Sequence, residues 1–258
     1  MSLYNATPAD GVAWVTGASS GIGYAVALQL CRYGYTVIAT ARSEEKLQQL
    51  VDESADCAGA IVAKSGDVTS YAEMNAIVTF IKDEYQNLAL AVLNAGIYIP
   101  VHIDKLDISD FQKTFDVNLT GVVNGLLPAI EQMKVQGKGQ IALVSSVTGY
   151  GGLPTSAAYG ATKAAVINMA ESLKFDLDKL NIRIQVINPG FVKTAATDQN
   201  EFKMPAIIPA KEAAKRISDG LQQDKFELTF PKRFTYFLKF INLLPYWLYF
   251  ALVGRTSK

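Results

Sequence analysis

Val12-Ala13-Trp14-Val15-Thr16-Gly17-Ala18-Ser19-Ser20-Gly21-Ile22-Gly23 decides the fold, because the hydrophobic period changes across its glycines. Val12 to Val15 is a short apolar run that fits a buried strand, and in the following Tyr24-Ala25-Val26-Ala27-Leu28-Gln29-Leu30 the apolar residues recur at helical spacing. Strand, glycine turn and helix in that order suit phosphate binding. Gly17 can take a positive φ, Gly21 lets a pyrophosphate approach the backbone, and Gly23 lets the helix pack closely on the sheet. Free N–H groups at the helix start, with the helix dipole behind them, then face the anion.

Outward from this turn, apolar runs at Val12–Thr16, Tyr35–Thr40, Ala60–Lys64, Leu88–Leu93, Gln140–Ser145, Ile182–Ile187 and Phe226–Phe230 alternate with helical patterns. Strands separated by helices imply parallel neighbours joined by right-handed crossovers. The predicted class is α/β: a Rossmann-type, doubly wound, seven-stranded and mostly parallel sheet with helices on both faces. Ligands of such sheets lie beyond the carboxyl ends of the strands. The glycine turn, Asn94, Ser146 and Pro189-Gly190 all follow predicted strand ends, so they converge on one edge. With no internal repeat or low-complexity linker, residues 1–258 read as one dinucleotide-binding and catalytic domain ending in a basic aromatic tail, 228–258.

Tyr159-Gly160-Ala161-Thr162-Lys163, with Ser146 upstream, reads as an acid/base device. In a helix over Ser156 to Leu180, residues four apart share a face, so the Lys163 ammonium approaches the Tyr159 phenol. A free phenol titrates near ~10, and an adjacent cation favours phenolate and lowers that value. A general acid/base tuned toward the working pH results. Ser146 supplies a second hydroxyl that holds the oxygen of a carbonyl or alcohol beside the phenol. An isolated Tyr-x-x-x-Lys carries little information; its company in this chain gives it weight.

That company resembles the short-chain dehydrogenase/reductase family in its compact single-domain form. The marks appear in order: Thr16-Gly17-Ala18-Ser19-Ser20-Gly21-Ile22-Gly23, Gly66-Asp67-Val68, Asn94-Ala95-Gly96, Asn118, Ser146, Tyr159 with Lys163, and Pro189-Gly190 with Thr194. The resemblance spans Val12 to Leu221, and its one small departure is Leu93, where many relatives carry a second Asn before Asn94. It implies that Tyr159 donates the proton in reduction and accepts it in oxidation, that Lys163 lowers its pKa and holds the nicotinamide ribose, and that Ser146 orients the substrate oxygen. Asn118 is implied to keep a water-linked proton relay to Lys163. Cofactor contacts are implied at Thr16, Gly17, Ser19, Ser20, Gly21, Ile22 and Gly23 of the turn, and at Asp67 and Val68 near the adenine. Further contacts are implied at Asn94, Ala95 and Gly96, at Pro189 and Gly190, and at Thr194 near the nicotinamide carboxamide. Read alone, Asp67 is equally a helix cap before Thr69-Ser70 and Asn94-Ala95-Gly96 a turn after a strand.

The second predicted strand runs into Ala41-Arg42-Ser43 with no acid in the place where a carboxylate would bond the ribose 2′-hydroxyl of NAD. Arg42 can pair with a 2′-phosphate through two parallel bonds, so NADP is favoured over NAD.

Composition narrows the alternatives. Basic and acidic residues balance at 24 each, leaving no global field to recruit nucleic acid. Cys31 and Cys57 fall in helical patterns without a Cys/His cluster, which points to reduced thiols and no metal site. His102 follows Asn94-Ala95-Gly96 with no ligand cluster near it in sequence. The segment Met1 to Gly11 lacks the basic start and apolar core of a signal peptide, and a cytoplasmic location is expected.

Ile97, Tyr98, Ile99, Val147, Tyr150, Leu153, Phe191 and Val192 form an apolar and aromatic set that suits the wall of a nonpolar carbonyl site or, equally, core packing. Lys193 to Pro209 reads as a lid or as a plain connection. From Leu228 to Lys258 there are five basic residues, no acid and a crowd of aromatic rings. Lys239, Asn242 and Pro245 interrupt the run, so it does not read as a spanning helix. Burial against a second subunit, as a homodimer or homotetramer, is the expected use of such a surface. Peripheral contact with a membrane interface is the alternative. The chain is expected to be an NADP-dependent oxidoreductase moving a hydride between a nicotinamide and a carbonyl or secondary alcohol, with an NAD-linked alcohol dehydrogenase and a dinucleotide-binding scaffold or sensor as the competing readings.

Overall fold

The computed structural model describes residues 3–195, 197 and 204–254. Its strands are β1 (Val12–Thr16), β2 (Thr36–Ala41), β3 (Ala60–Ser65), β4 (Leu88–Leu93), β5 (Gly139–Val144), β6 (Ile182–Pro189), β7 (Val192–Lys193), β8 (Ile208–Pro209) and β9 (Glu227–Phe230). Its helices are α1 (Gly21–Arg32), α2 (Glu44–Glu53), α3 (Tyr71–Tyr85), α4 (Ile108–Phe115), α5 (Gly121–Gln136), α6 (Ala157–Leu177), α7 (Ala210–Leu221), α8 (Lys232–Asn242) and α9 (Tyr246–Val253). Seven strands form one sheet in the order β3-β2-β1-β4-β5-β6-β9, parallel at every pairing, and β7 pairs with β8 apart from it.

Alternation along each strand sends successive side chains to opposite faces, and both faces are covered. Ala13 and Val15 of β1 belong to a core with Val26 of α1, Leu47 of α2 and Ile217 of α7. Val12 and Trp14 belong to the opposite core, with Met74 of α3, Leu126 of α5 and Val166 of α6. Trp14 is wholly buried, and its indole N–H donates to Thr40 Oγ1 at 2.9 Å, so this large ring leaves no polar atom unsatisfied. The chain runs outward from β1 through β2 to β3 and then returns to place β4 on the other side of β1. A crevice therefore opens beyond the carboxyl ends of β1 and β4, where such sheets bind ligands.

The expected strands all form, Val12–Thr16 and Leu88–Leu93 with the expected ends and the others with shifted ones. Tyr35 stays outside β2 because its amide closes the end of α1 on Leu30 O and its hydroxyl donates to Ala6 O at 2.7 Å. Ser145 lies beyond β5, although its amide still donates to Ile187 O. Strand β6 continues to Pro189, since β9 pairs with it through Pro189↔Phe230. Helix α6 begins at Ala157, passes into a 3-10 turn and stops at Asn181, whose φ is 56°. Cys57 lies in the bend after α2, outside any helix, and both cysteines are free. The tail expected from 228 begins inside β9 and folds into α8 and α9. Leu238, Ile241, Tyr249 and Val253 of these helices make a third core with Val147, and Tyr150 and Leu153 pack against it. No helix among the described residues is long and apolar enough to cross a membrane.

Candidate active site

At the crevice the glycine turn is built against the end of β4. Gly17 and Gly21 have φ of 68° and 58°, in the region L side chains rarely adopt. A Cβ on Gly23 would stand 2.3 Å from Gly17 O and 2.4 Å from Asn94 Nδ2, so this glycine lets α1 come close to the residues that directly follow β1 and β4. Thr16 Oγ1 accepts from the amides of Asn94 and Ala95 at 3.0 and 3.2 Å. Asn94 Nδ2 in turn donates to Thr16 O at 3.1 Å, which locks β1 and β4 together at their ends. Ser20 caps α1 in extended backbone without a side-chain bond into the helix, leaving its hydroxyl and the first N–H groups facing outward beside Ser19 and Ile22.

Across the crevice stands the Ser146, Tyr159 and Lys163 group, with Asn118 behind it. Lys163 is 2 % exposed, and its Nζ donates to Val144 O at 2.9 Å. The same ammonium lies 5.4 Å from the centre of the Tyr159 ring, one turn earlier on α6. Burial pulls the Lys163 pKa down to about 8. Tyr159 keeps part of its surface open, yet protein crowds its phenol, and burial pushes the pKa up to about 12; a hydrogen bond with Ser146 works in the opposite direction. The phenol is therefore protonated at neutral pH. This differs from the cation-lowered phenol expected from the spacing, because Nζ is drawn toward the Val144 carbonyl at the end of β5. Ser146 Oγ accepts from the Thr148 amide at 3.2 Å. The Tyr98 ring meets Tyr159 edge to face at 5.2 Å, and its hydroxyl is 3.0 Å from Thr155 Oγ1.

Asn118 is fully buried in a π-helical turn, Asp116–Thr120, inserted between α4 and α5. Its Oδ1 accepts from the Ile97 amide at 2.7 Å, and Nδ2 donates to Ile97 O at 2.8 Å. One side chain thus pins the loop that leaves Gly96. A Cβ on Gly96 would lie 3.3 Å from Asn118 Oδ1 and 3.5 Å from Lys163 Nζ, which brings Asn118, Gly96 and Lys163 together at one point.

The other expected residues stand at or just after the carboxyl ends of β2, β3, β6 and β7. Arg42 is exposed immediately after β2, next to the turn, where Ala18 donates to Thr40 O. Asp67 Oδ1 accepts from the amide and hydroxyl of Thr69, a turn ahead of α3 whose cap is Ser70 and not Asp67, and Val68 is buried with its carbonyl held by Asn124. Thr194 reaches over Gly21, with Cγ2 3.1 Å from where a Cβ would stand. Pro189 ends β6, and Gly190 donates to Phe230 O at 2.8 Å beside the Phe234 ring. The expected apolar wall divides: Tyr98 stays with Tyr159, Val147, Tyr150 and Leu153 turn onto the C-terminal helices, and Val192 enters a main core. The stems of the expected lid are joined by β7 and β8; residues 196 and 198–203 between them lie outside the described residues.

Residues 11–204 match the model of the short chain dehydrogenase family. The chain belongs to that family. As a short-chain dehydrogenase it is an oxidoreductase acting on CH–OH or C=O groups. An uncharacterized oxidoreductase of Myxococcus xanthus is 33% identical over 243 residues, covering 94% of this chain and 96% of the relative. The 3-oxoacyl-(acyl-carrier-protein) reductase FabG of Thermotoga maritima is 35% identical over 188 residues, 73% of this chain and 76% of the relative. Among solved structures, an actinorhodin polyketide ketoreductase variant with NADPH superposes with a TM-score of 0.78 at 25% identity, covering 87% of this chain and 97% of that one.

Two supports of this short-chain dehydrogenase site lay outside the sequence reading. Ser145 Oγ donates to Lys163 O at 2.7 Å and so fixes α6 against the end of β5. Its signal was the Ser145-Ser146 pair at a strand end. Glu227 holds the other support together: Tyr150 donates to its Oε1 at 2.5 Å, Asn188 donates to the same oxygen at 2.7 Å, and Lys239 of α8 pairs with Oε2. Burial would raise Glu227, but its bonds to Lys239, Tyr150 and Asn188 outweigh that and hold its pKa below the ordinary glutamate value. An acid inside the apolar stretch Phe226–Phe230 was the legible sign.

Proposed function

We propose that this short-chain dehydrogenase is an NADP-dependent reductase of nonpolar ketones, working through Ser146, Tyr159 and Lys163. The observation that carries the reading is the meeting of these three side chains at the sheet edge that also bears the glycine turn. The residues fit a nicotinamide dinucleotide. A Lys163 ammonium almost wholly enclosed by protein makes one hydrogen bond to the backbone, and an ammonium has three donors, so two remain for the hydroxyls of a ribose. The positive-φ turn and the open start of α1 suit a pyrophosphate. In the proposed binding mode Thr16 to Gly23 hold the phosphates, Asp67 and Val68 border the adenine, and Asn94, Ala95 and Gly96 face the inner ribose. Pro189, Gly190 and Thr194 border the nicotinamide. Bound there, the dinucleotide supplies or accepts the hydride.

The chain's own part is the proton and the oxygen. Ser146 Oγ donates a hydrogen bond to the substrate oxygen, and Tyr159 gives its phenolic proton to that oxygen as negative charge develops on it. A phenol held at about 12 stands protonated at neutral pH, which suits reduction as the forward direction. Lys163, cationic below about 8, steadies the phenolate that forms. Asn118, between Ile97 and Lys163, is placed to order a relay that returns the proton. Exposed Arg42 supports NADP through its pairing with a 2′-phosphate. The Thermotoga maritima relative is named for a 3-oxoacyl substrate and the solved ketoreductase for a polyketide, and both support a ketone oxygen at Tyr159. We read the chain as one catalytic domain in a reducing, cytoplasmic setting, a homodimer or homotetramer being compatible with it.

The test follows NADPH and NADH oxidation across ketones, aldehydes and acyl-thioester ketones. We expect NADPH-dependent turnover that Tyr159→Phe lowers about 10²- to 10⁴-fold in kcat while NADPH affinity is retained. Full activity in Tyr159→Phe would overturn the mechanism.

A further inference from the structure

Helices α8 and α9 divide their side chains sharply between protein and solvent. Leu238, Ile241, Tyr249 and Val253 are buried against the loop after β5. Phe237, Phe240, Leu243, Tyr246, Trp247 and Phe250 point away from the domain, with Phe240 61 %, Trp247 74 % and Leu243 83 % exposed. The inward set already anchors the two helices, so the outward set adds nothing to that anchoring and costs exposure of a continuous apolar surface to water.

Charge identifies what covers it. Between 228 and 258 the chain has five cations and no acid. Lys239 is spent on Glu227, whereas Lys232 and Arg233 are exposed and take part in no ion pair among the described residues. Both occupy the first turn of α8, where the helix dipole disfavours cations. Their position therefore works against the stability of α8 and calls for an external anion. A second copy meeting this one through α8 and α9 alone does not supply one, because the stretch 228–258 has no acidic side chain to set against these cations. An anionic lipid surface supplies both what the cations and what the rings require, with Trp and Tyr at headgroup depth and Phe and Leu beneath them. Helix α8 has 11 residues and α9 has 8, too short to cross, so they lie on the surface.

We propose that α8 and α9 form a peripheral anchor that seats the protein on anionic membrane. The full chain is mixed with vesicles of phosphatidylcholine alone or with added phosphatidylglycerol and sedimented. Trp14 is wholly buried and is the one other tryptophan of the chain, so an emission shift on binding reports Trp247. Expected are partition onto the anionic vesicles, a blue shift of emission, and weakening with salt. Each exposed cation contributes about fivefold near such a surface, so Lys232→Ser with Arg233→Ser should lower partition roughly 25-fold. Phe240→Ser with Trp247→Ser should abolish it, with retained NADPH oxidation certifying the fold. No partition at low salt would overturn the proposal. So would a wild-type oligomer in analytical ultracentrifugation that Phe240→Ser with Trp247→Ser dissociates, which would assign the face to a second copy.

Discussion

The two sides of the crevice are made of different material. The β1–β4 side is backbone: positive-φ glycines, amides held by Thr16 and Asn94, and the open start of α1. The β5–β9 side is made of side chains, Ser146 and Lys163 buried and Tyr159, Tyr150 and Glu227 partly so, whose properties depend on what surrounds them. A backbone site tolerates no added atom, whereas a side-chain site tolerates a change of shape but not of protonation. On the proposed reading, binding thus resides in steric absence and chemistry in desolvated polar groups.

The largest break is expected on the side-chain half. Lys163→Met should reduce turnover about 10²- to 10⁴-fold. The same change should stabilise the cofactor-free protein at pH 7 by about 1–4 kcal/mol, because a buried charge gives way to an apolar chain. Burial lowers the lysine from 10.5 to about 8, so the unfolded chain holds more protons than the folded one between those values. Wild-type stability accordingly carries the full penalty below about pH 8 and loses it as pH rises toward 10.5. Urea unfolding of both proteins at pH 7 and at alkaline pH should show the advantage of Lys163→Met shrinking; an equal advantage at both would break the burial argument.

Gly23→Ala probes the backbone half. Its Cβ would sit 2.3 Å from Gly17 O, an overpacking worth about 1–3 kcal/mol, or roughly a 10- to 100-fold loss of NADPH affinity by fluorescence titration. Wild-type affinity in this variant would show slack in the turn and erase the contrast drawn above. The smallest effect belongs to Arg42→Ala. It should lower the preference for NADPH over NADH about tenfold, the worth of one exposed charge-assisted bond, with kcat on NADH unchanged.

This contrast also explains what was legible in the sequence. Gly17, Gly21 and Gly23 announce the turn because L side chains rarely adopt the φ of the first two and any side chain would fill the space at the third, and the strand-helix alternation fixes the sheet around it. Tyr159 and Lys163 were found from their spacing, but not the direction of the Tyr159 pKa, which depends on where Nζ points and on atoms brought in by Val144, Ser146 and Tyr98. Asn118 was picked out by the family resemblance alone, since the π turn that aims it at Ile97 has no sequence mark of its own. The apolar set was left open between site wall and core packing, and Val147, Tyr150 and Leu153 take the second because they face helices more than seventy residues downstream. Long-range packing of that kind leaves no local period to read.

Glu227 makes the C-terminal helices inseparable from the enzyme. Its carboxylate holds Lys239 on one oxygen and Tyr150 with Asn188 on the other. A chain cut before Lys232 would leave that acid half-buried without its counter-ion, loosen Tyr150, and uncover Val147, the residue after Ser146. Truncation would therefore report damage to the loop that carries Ser146 under the guise of testing an appendage, and point substitutions on the outward rings are the informative way to dissect the two.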